Sequence, residues 1–377
     1  MTNHSNRHLF SPYKIGAMQL PHRIALAPLT RCRTGDDRVP SDLHALYYAQ
    51  RASAAIAISE ATQISPMGIG YRGTPGIHNE AQVQGWKRVA DAVHAAGGRL
   101  FVQLWHVGRV SHPHWLGGET PVSSSGVLLE GQTRLSDGSL VPYVAPRALA
   151  LDEIPLVIAD YVAAATNAIR AGADGVEIHA ANGYLIDQFL RDGVNHRGDA
   201  YGGSIPNRIR FLREVTEAVA HACGGHRVGV RLSPTNRFNQ IWDSDPHALF
   251  VAAAESLNPF DLGYLHILEG VAGSSSAPAE GQKPVASTMR KAFHGTIMIN
   301  GGYDAASGDA AIQSGLADLV AYGIPFIANP DLPVRYRLGA TITPPNQSTW
   351  YAEGARGYTD YAMLTHEQPA AVNASAS

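Results

Sequence analysis

The run Gly175-Val176-Glu177-Ile178-His179-Ala180-Ala181-Asn182-Gly183-Tyr184 gathers side chains that could act together on one substrate. Val176 to Ile178 is a short apolar stretch after Ala173-Asp174-Gly175, the pattern of a buried strand opened by a turn. His179, Asn182 and Tyr184 fall where that strand should end. If the chain turns helically there, residues three apart share a face, so an imidazole and a carboxamide aim at one point. Two donors on one atom, with a phenol beside them, can polarise a carbonyl and deliver a proton. A polar strand–loop junction would explain His179 alone about as well; it explains the trio at this spacing poorly.

The scaffold that must position these groups is 377 residues long, which an α/β barrel can fill as a single unit. A hydrophobic fraction of 45% is enough for a substantial core. A formal charge of −3 makes no electrostatic case for nucleic acid or an anionic membrane surface as a partner. Cys32 and Cys223, the two cysteines, form neither a disulfide framework nor a metal-binding pair, and burial is the default account of each. Met1 to His8 lacks the apolar core of a signal peptide, and no run approaches the roughly eighteen apolar residues of a membrane helix. A cytoplasmic protein, monomeric or homodimeric, is the expectation.

After a hairpin-like preamble between Leu9 and Leu20, one cadence repeats eight times: an apolar strand, then a polar or small residue. The strands are Arg23–Ala27, Ala55–Ile58, Arg99–Val102, Val176–Ile178, Val228–Val230, Leu265–Leu268, Ile297–Ile299 and Leu319–Ala321. Helical periodicity fills the gaps. Ala81–Ala96 carries Val83, Trp86, Val89, Ala90 and Val93; Leu156–Ala171 carries Ile158, Tyr161, Val162, Ala165 and Ile169; Ile205–Cys223 follows Ser204 and stops at Gly224-Gly225. Shorter candidates are Asp243–Leu257, Ala286–Phe293, Ala305–Gly315 and Asp331–Leu338. Strands alternating with helices predict an α/β fold, a single (β/α)8 TIM barrel over residues 1–365, with a flexible tail at 366–377. A doubly wound sheet is the alternative, weakened by the absence of a GxGxxG after the first strand. The stretch 106–149 is too long for an ordinary loop. Its Thr133–Pro142 core reads as a hairpin turning at Asp137-Gly138, and its place after strand three suits a lid.

In such a barrel all strand carboxyl ends face one mouth. Thr30, Ala61, Gln103, His179 with Asn182 and Tyr184, Arg231, Asn300 with Gly301 and Gly302, and Gly323 should therefore surround one cavity. Small residues at 61, 301, 302 and 323 leave room for a flat ligand and for backbone amides to approach a phosphate. Gln103 can donate and accept, as a pyrimidine edge requires, although a satisfied core amide is an equal alternative. Arg231 brings a permanent charge that would stabilise a ring becoming anionic on reduction.

The motifs APLTR (27–31), SEATQISPMGIGY (59–71), VQLWHVGRVSH (102–112), PRAL (146–149), VEIHAANGYLIDQFL (176–190), VGVRLSP (228–234), PFIANPDLP (325–333) and GYTDY (357–361) together resemble the Old Yellow Enzyme family of flavin-dependent ene reductases. The likeness runs in order from about Leu9 to Tyr361. It implies non-covalent FMN at the barrel mouth, reduced by NADPH or NADH and reoxidised by an α,β-unsaturated carbonyl or nitro compound. On that resemblance the cofactor contacts are Pro28, Leu29, Thr30, Ala61, Gln103, Arg231, Gly301, Gly302, Gly323 and Ile324. His179 and Asn182 would hold the substrate oxygen, Tyr184 would protonate Cα, and Trp105, Tyr71 and Tyr351 would line the substrate pocket. Without the resemblance the three aromatics would read as core packing, and no metal site is implied.

The chain departs from the family pattern at Ile324, where an arginine beside the FMN phosphate is usual, and at Arg197-Gly198-Asp199, where Arg-Thr-Asp is common. Losing the arginine predicts weaker FMN retention. It also keeps a non-catalytic flavin scaffold in view, beside a flavin-free lyase or isomerase built on His179 and Arg231. Two cysteines are too few for the iron–sulfur centre of the related dienoyl-CoA reductases.

Overall fold

A computed structural model describes residues 7–364, apart from 272, 273, 275 and 276. The flexible tail expected at 366–377 lies outside the described residues. Eight parallel strands close into a ring: β1 Ile24–Leu26, β2 Ile56–Ile58, β3 Leu100–Trp105, β4 Gly175–His179, β5 Val228–Leu232, β6 Tyr264–Leu268, β7 Ile297–Asn300 and β8 Leu319–Tyr322. β8 pairs back onto β1, and β3 onto β4, which closes the circle. Each coincides with a predicted apolar run. These strands are covered on both faces, so they are recognised by continuous hydrophobicity rather than alternation.

The helices around the barrel are α1 Asp42–Gln50, α2 Glu80–Ala95, α3 Ile154–Arg170, α4 Arg210–Cys223, α5 Pro246–Ser256, α6 Ala286–Ala292, α7 Ala305–Gln313 and α8 Leu332–Leu338. α2 begins where the Asn79 side chain accepts the Gln82 N–H, and it buries the predicted stripe of Val83, Trp86, Val89, Ala90 and Val93. In α3 the buried face is rotated from the predicted one. Val157, Tyr161, Ala164, Ala165 and Ala168 turn inward, while Ile158, Val162 and Ile169 flank the contact. Alanines let the helix lie close to the strand layer, so the larger β-branched residues fill its edges. The continuous helix predicted over Ile205–Cys223 is divided into Ile205–Arg208 and α4. α1 has no apolar period of its own and was not predicted; its buried residues are His44, Tyr47 and Tyr48.

The strand register matters most for the site. Glu177 lies opposite Gln103, His179 opposite Arg231, Arg231 opposite His266, and Leu268 opposite Asn300. Polar residues from five neighbouring strands thus occupy adjacent levels at the carboxyl end of the barrel. The predicted hairpin is present as Gln132–Arg134 paired antiparallel with Leu140–Pro142, and the preamble as Tyr13–Ile15 with Met18–Leu20.

Candidate active site

β4 ends at His179, but the chain does not turn helically afterwards. Asn182 and Gly183 both have positive φ, 60° and 73°, so the expected helical face is replaced by a left-handed turn. Asn is among the few residues that adopt this conformation readily. The turn is held from below. Ser233 Oγ accepts the Asn182 N–H at 2.8 Å, and Asp187 Oδ2 accepts the Gly183 N–H at 2.9 Å. Asp187 also pairs with Arg191 at 2.8 Å, and Arg191 donates to the carbonyls of Ser233 and Pro234. The loop after β4 is therefore clasped to the loop after β5, and Tyr184 is set at the start of a short helix, Leu185–Leu190.

Tyr184 stands in an aromatic nest. Its ring lies edge-on to Trp105 at 4.9 Å and to His179 at 5.1 Å, and Tyr71 stacks on Trp105 at 5.5 Å. The phenol oxygens of Tyr71 and Tyr184 are 3.3 Å apart. Burial pushes the Tyr184 phenol up to about 12, so it keeps its proton at neutral pH. Burial, reinforced by Arg231 and His266, holds His179 well below the ordinary histidine range, so its imidazole is neutral.

A cavity of about 960 Å³ opens at the barrel mouth. Of the predicted residues, Pro28, Leu29, Thr30, Tyr71, Trp105, Tyr184, Ile324 and Tyr351 line it. The lid hairpin contributes Thr133, Arg134 and Leu140. Ala61, Gln103, His179, Asn182, Arg231, Gly301, Gly302 and Gly323 are not among its walls. Ala61 joins the cavity through its packing with Trp105 and Tyr184, and His179 through its ring contacts with the same two residues. Gly323 approaches Leu29 so closely that a Cβ would sit 3.2 Å from Leu29 Cδ2. Gly301 has φ +126° and a backbone carbonyl, Glu269 O, 2.6 Å from where a Cβ would be, so the fold itself demands glycine there. Gly302, at φ +74°, also needs glycine.

Within the barrel at this end lies a polar layer. Gln103 Nε2 donates to Glu177 Oε1 at 2.7 Å, and His266 Nδ1 bonds Glu177 Oε2 at 2.8 Å. One hydrogen of that NH2 is thereby committed, which leaves Gln103 its carbonyl oxygen and its second N–H to offer. Burial alone would raise the Glu177 carboxyl; His266 and Arg231 outweigh it and hold it below the ordinary range. Burial keeps His266 low in turn, so Arg231 carries the countercharge. Arg231 is itself aimed by Asn300 Oδ1 at 3.1 Å, whose amide donates to Ala321 O. Three buried donors or ring nitrogens nearby, Arg231 Nε, His179 Nδ1 and Trp105 Nε1, have no hydrogen-bond partner. Such groups are costly when left unpaired, on the order of 1–3 kcal/mol each, and they mark a place where a ligand belongs.

Two further supports were not legible in the sequence. Glu60 Oε2 accepts the N–H groups of Arg31 at 3.0 Å and Cys32 at 3.3 Å, steadying the loop that carries Thr30, with Cys32 at φ 57°. Arg31 and Arg33 donate to carbonyls of Thr349, Trp350, Arg356 and Gly357, strapping the C-terminal segment over the mouth and placing Tyr351 there. Burial pushes the Cys32 thiol up to about 12, in keeping with a buried thiol rather than a redox group.

Burial also raises the Glu60 carboxyl to about 7, against the hydrogen bonds from Arg31 and Cys32. The folded state thus binds the Glu60 proton more tightly than the unfolded chain. Its contribution to stability is present below the ordinary carboxylate value and is lost as pH rises through about 7. Glu60→Gln should remove this slope. The stability difference between wild type and variant, from urea unfolding at pH 5 and pH 8, should shift by roughly 2.5 kcal/mol. An equal difference at both pH values would contradict the assignment.

The loop after β5 brings in residues that the sequence did not single out: Asn236, which donates to Asn182 Oδ1, and Asn239, which donates to Asn182 O at 2.8 Å. The Asn239 side chain also reaches the Tyr184 phenol. Only the short spacing from Arg231 hinted at them. Among the described residues no cluster of metal-ligating side chains is present.

A family profile described as NADH:flavin oxidoreductase / NADH oxidase matches residues 8–341. The chain is 46% identical to 12-oxophytodienoate reductase 7 of Oryza sativa subsp. japonica, covering 94% of each protein. Its fold superposes on an old yellow enzyme homologue from Zymomonas mobilis with a TM-score of 0.92 at 45% identity, covering 94% of this chain and 99% of that one. Morphinone reductase in complex with tetrahydroNAD gives a TM-score of 0.89 at 48% identity, over 95% and 98% of the two chains.

Proposed function

This chain belongs to the NADH:flavin oxidoreductase / NADH oxidase family, and on that premise we propose that it is an FMN-dependent ene reductase acting on α,β-unsaturated carbonyl compounds, and on nitroalkenes. The observation that supports the reading is the neutral His179 ring packed edge-on against the protonated Tyr184, itself on the wall of the cavity and two residues after the Asn182 turn.

The residues present fit FMN. The donors left unpaired at Arg231 and Trp105, the free oxygen of Gln103 and a cavity at the upper end of the usual ligand range are what a large polar ring requires. Gln103, Arg231, Thr30 and Ala61 would hold its ring, with Pro28 and Leu29 beside it. Gly301, Gly302, Gly323 and the N–H of Ile324 would meet its phosphate. When bound, FMN supplies a hydride carrier that a reduced nicotinamide, NADPH or NADH, recharges. The protein does the rest. His179 and Asn182 donate to the substrate oxygen and stabilise the charge that develops there as the β-carbon is reduced. Tyr184 gives its proton to Cα and recovers it from solvent. Trp105, Tyr71 and Tyr351 confine the substrate, and Tyr71 supports the Tyr184 hydroxyl through their shared hydrogen bond. The names of the similar proteins, a 12-oxophytodienoate reductase and a morphinone reductase solved with a nicotinamide analogue, support both halves of the reaction. Purified, FMN-loaded protein should consume NADPH or NADH faster when cyclohexenone is added. Consumption indifferent to the enone would reject the proposal.

Ile324 is about half exposed on the cavity wall, where a side chain can be changed without disturbing the core. A charged hydrogen bond contributes about 1.5–3 kcal/mol, equivalent to roughly 10- to 150-fold in affinity. Ile324→Arg is therefore expected to tighten FMN by that factor, read by fluorescence titration of apoprotein. An unchanged dissociation constant would place the phosphate elsewhere.

A further inference from the structure

We infer that Asn236 is a positioning residue that fixes which end of the Asn182 amide faces the substrate. This inference rests on the ene-reductase reading above and concerns a group that touches neither substrate nor cofactor.

An amide's oxygen and nitrogen are told apart by their partners. The backbone N–H of Phe238 can only donate, and it meets Asn236 Oδ1 at 2.6 Å. The other end of Asn236 is therefore its NH2, a donor, and it is directed at the Asn182 side chain. The atom of Asn182 that receives it must be Oδ1. That leaves Asn182 Nδ2, with its two hydrogens, as the end available to a ligand; no acceptor is recorded for it among the described residues. Asn236 is buried and Asn182 half-buried, so the bond is largely shielded from water on the Asn236 side. The main chain of Asn182 is fixed as well, by Ser233 Oγ on its N–H and Asn239 Nδ2 on its carbonyl. The side chain then has one remaining freedom, the half-turn that exchanges its oxygen and nitrogen. Asn236 removes it. A ketone needs a donor at this point; an amide presenting its oxygen would repel the substrate oxygen instead.

The consequence is an unusual order of severity. Asn236→Asp keeps the shape and still accepts the Phe238 N–H, but its second oxygen can only accept. It therefore draws Asn182 Nδ2 toward itself and turns Oδ1 to the ligand. A charged hydrogen bond biases the turn by about 10- to 150-fold. Asn236→Ala removes the lock without reversing it; with both orientations equally populated, apparent affinity falls about twofold. A purely structural role predicts the opposite order, since Asp is the near-isostere and Ala leaves a cavity.

The test titrates FMN-loaded wild type, N236D and N236A with cyclohexenone and with nicotinamide, following the flavin spectrum without turnover. Cyclohexenone should bind N236D at least tenfold more weakly than wild type and N236A about twofold more weakly. Nicotinamide, whose carboxamide can offer either end, should lose less than about threefold in N236D. N236D binding cyclohexenone like wild type, or N236A losing more than N236D, would overturn the assignment. So would an equal loss of both ligands, which would point to the added charge. Should N236D fail to fold, N236A alone decides: a tenfold or greater loss contradicts the free half-turn. If the wild-type spectrum ignores cyclohexenone altogether, it is the ene-reductase reading that falls. If wild type responds and N236D responds equally, only the role of Asn236 does.

Discussion

Tyr184→Phe is expected to slow alkene reduction by roughly 10²–10⁴-fold while leaving reduction by the nicotinamide near the wild-type rate. The two half-reactions make different demands on the protein. Reducing a carbon–carbon double bond leaves a carbanion-like centre at Cα that must be protonated within the closed site, whereas taking hydride from a nicotinamide needs no phenolic proton. On the proposed reading Tyr184 performs the first task. Its proton is secure at neutral pH because burial pushes the phenol up to about 12, and its hydroxyl is steadied by Tyr71 at 3.3 Å. Its ring is held edge-on by Trp105 and His179, so phenylalanine should fill the same space. Stopped-flow measurement of each half-reaction separates them. Equal damage to both would mean that Tyr184 shapes the pocket rather than donating to the substrate.

Removing the imidazole should cost nearly as much. On the proposed reading, His179→Ala deletes one of two donors to the substrate oxygen, and loss of a single such donor typically lowers kcat by about 10²–10³-fold. The pH dependence carries a second signature. Burial, then the charge of Arg231, keeps His179 neutral well below the ordinary histidine range. Its donor therefore does not titrate above that range, and neither does Tyr184 below about 12. The rate constant for enone reduction, isolated by stopped flow, should be flat between about pH 7 and pH 9. A limb near the ordinary histidine value that disappears in His179→Ala would show a protonated imidazole at work and contradict this picture.

The barrel was legible because its strands are covered on both faces and so announce themselves as short apolar runs. The candidate trio His179, Asn182 and Tyr184 stands out in the sequence because it follows one of those runs directly. The path of the chain from His179 to Tyr184 was not legible: a helical turn was expected, and two consecutive left-handed residues are found. That conformation is set by Ser233 and Asp187, contacts across the fold that no local pattern records. Helix α1 leaves no local signature for a related reason, since His44, Tyr47 and Tyr48 are buried by tertiary packing without an apolar period. The polar layer of Gln103, Glu177, Arg231 and His266 depends on strand register, which places Glu177 beside Gln103 although 74 residues separate them. Asn236 and Glu60 act on backbone and amide groups and resemble ordinary loop and strand-end residues in sequence.

The most direct test of the account is an anaerobic spectral titration of the FMN-loaded protein, first with a reduced nicotinamide and then with cyclohexenone. The yellow absorbance should bleach on the first addition and return on the second, with saturated ketone recovered in proportion to the colour restored. A preparation that stays colourless in excess FMN, or a bleached flavin that the enone leaves bleached, would contradict it.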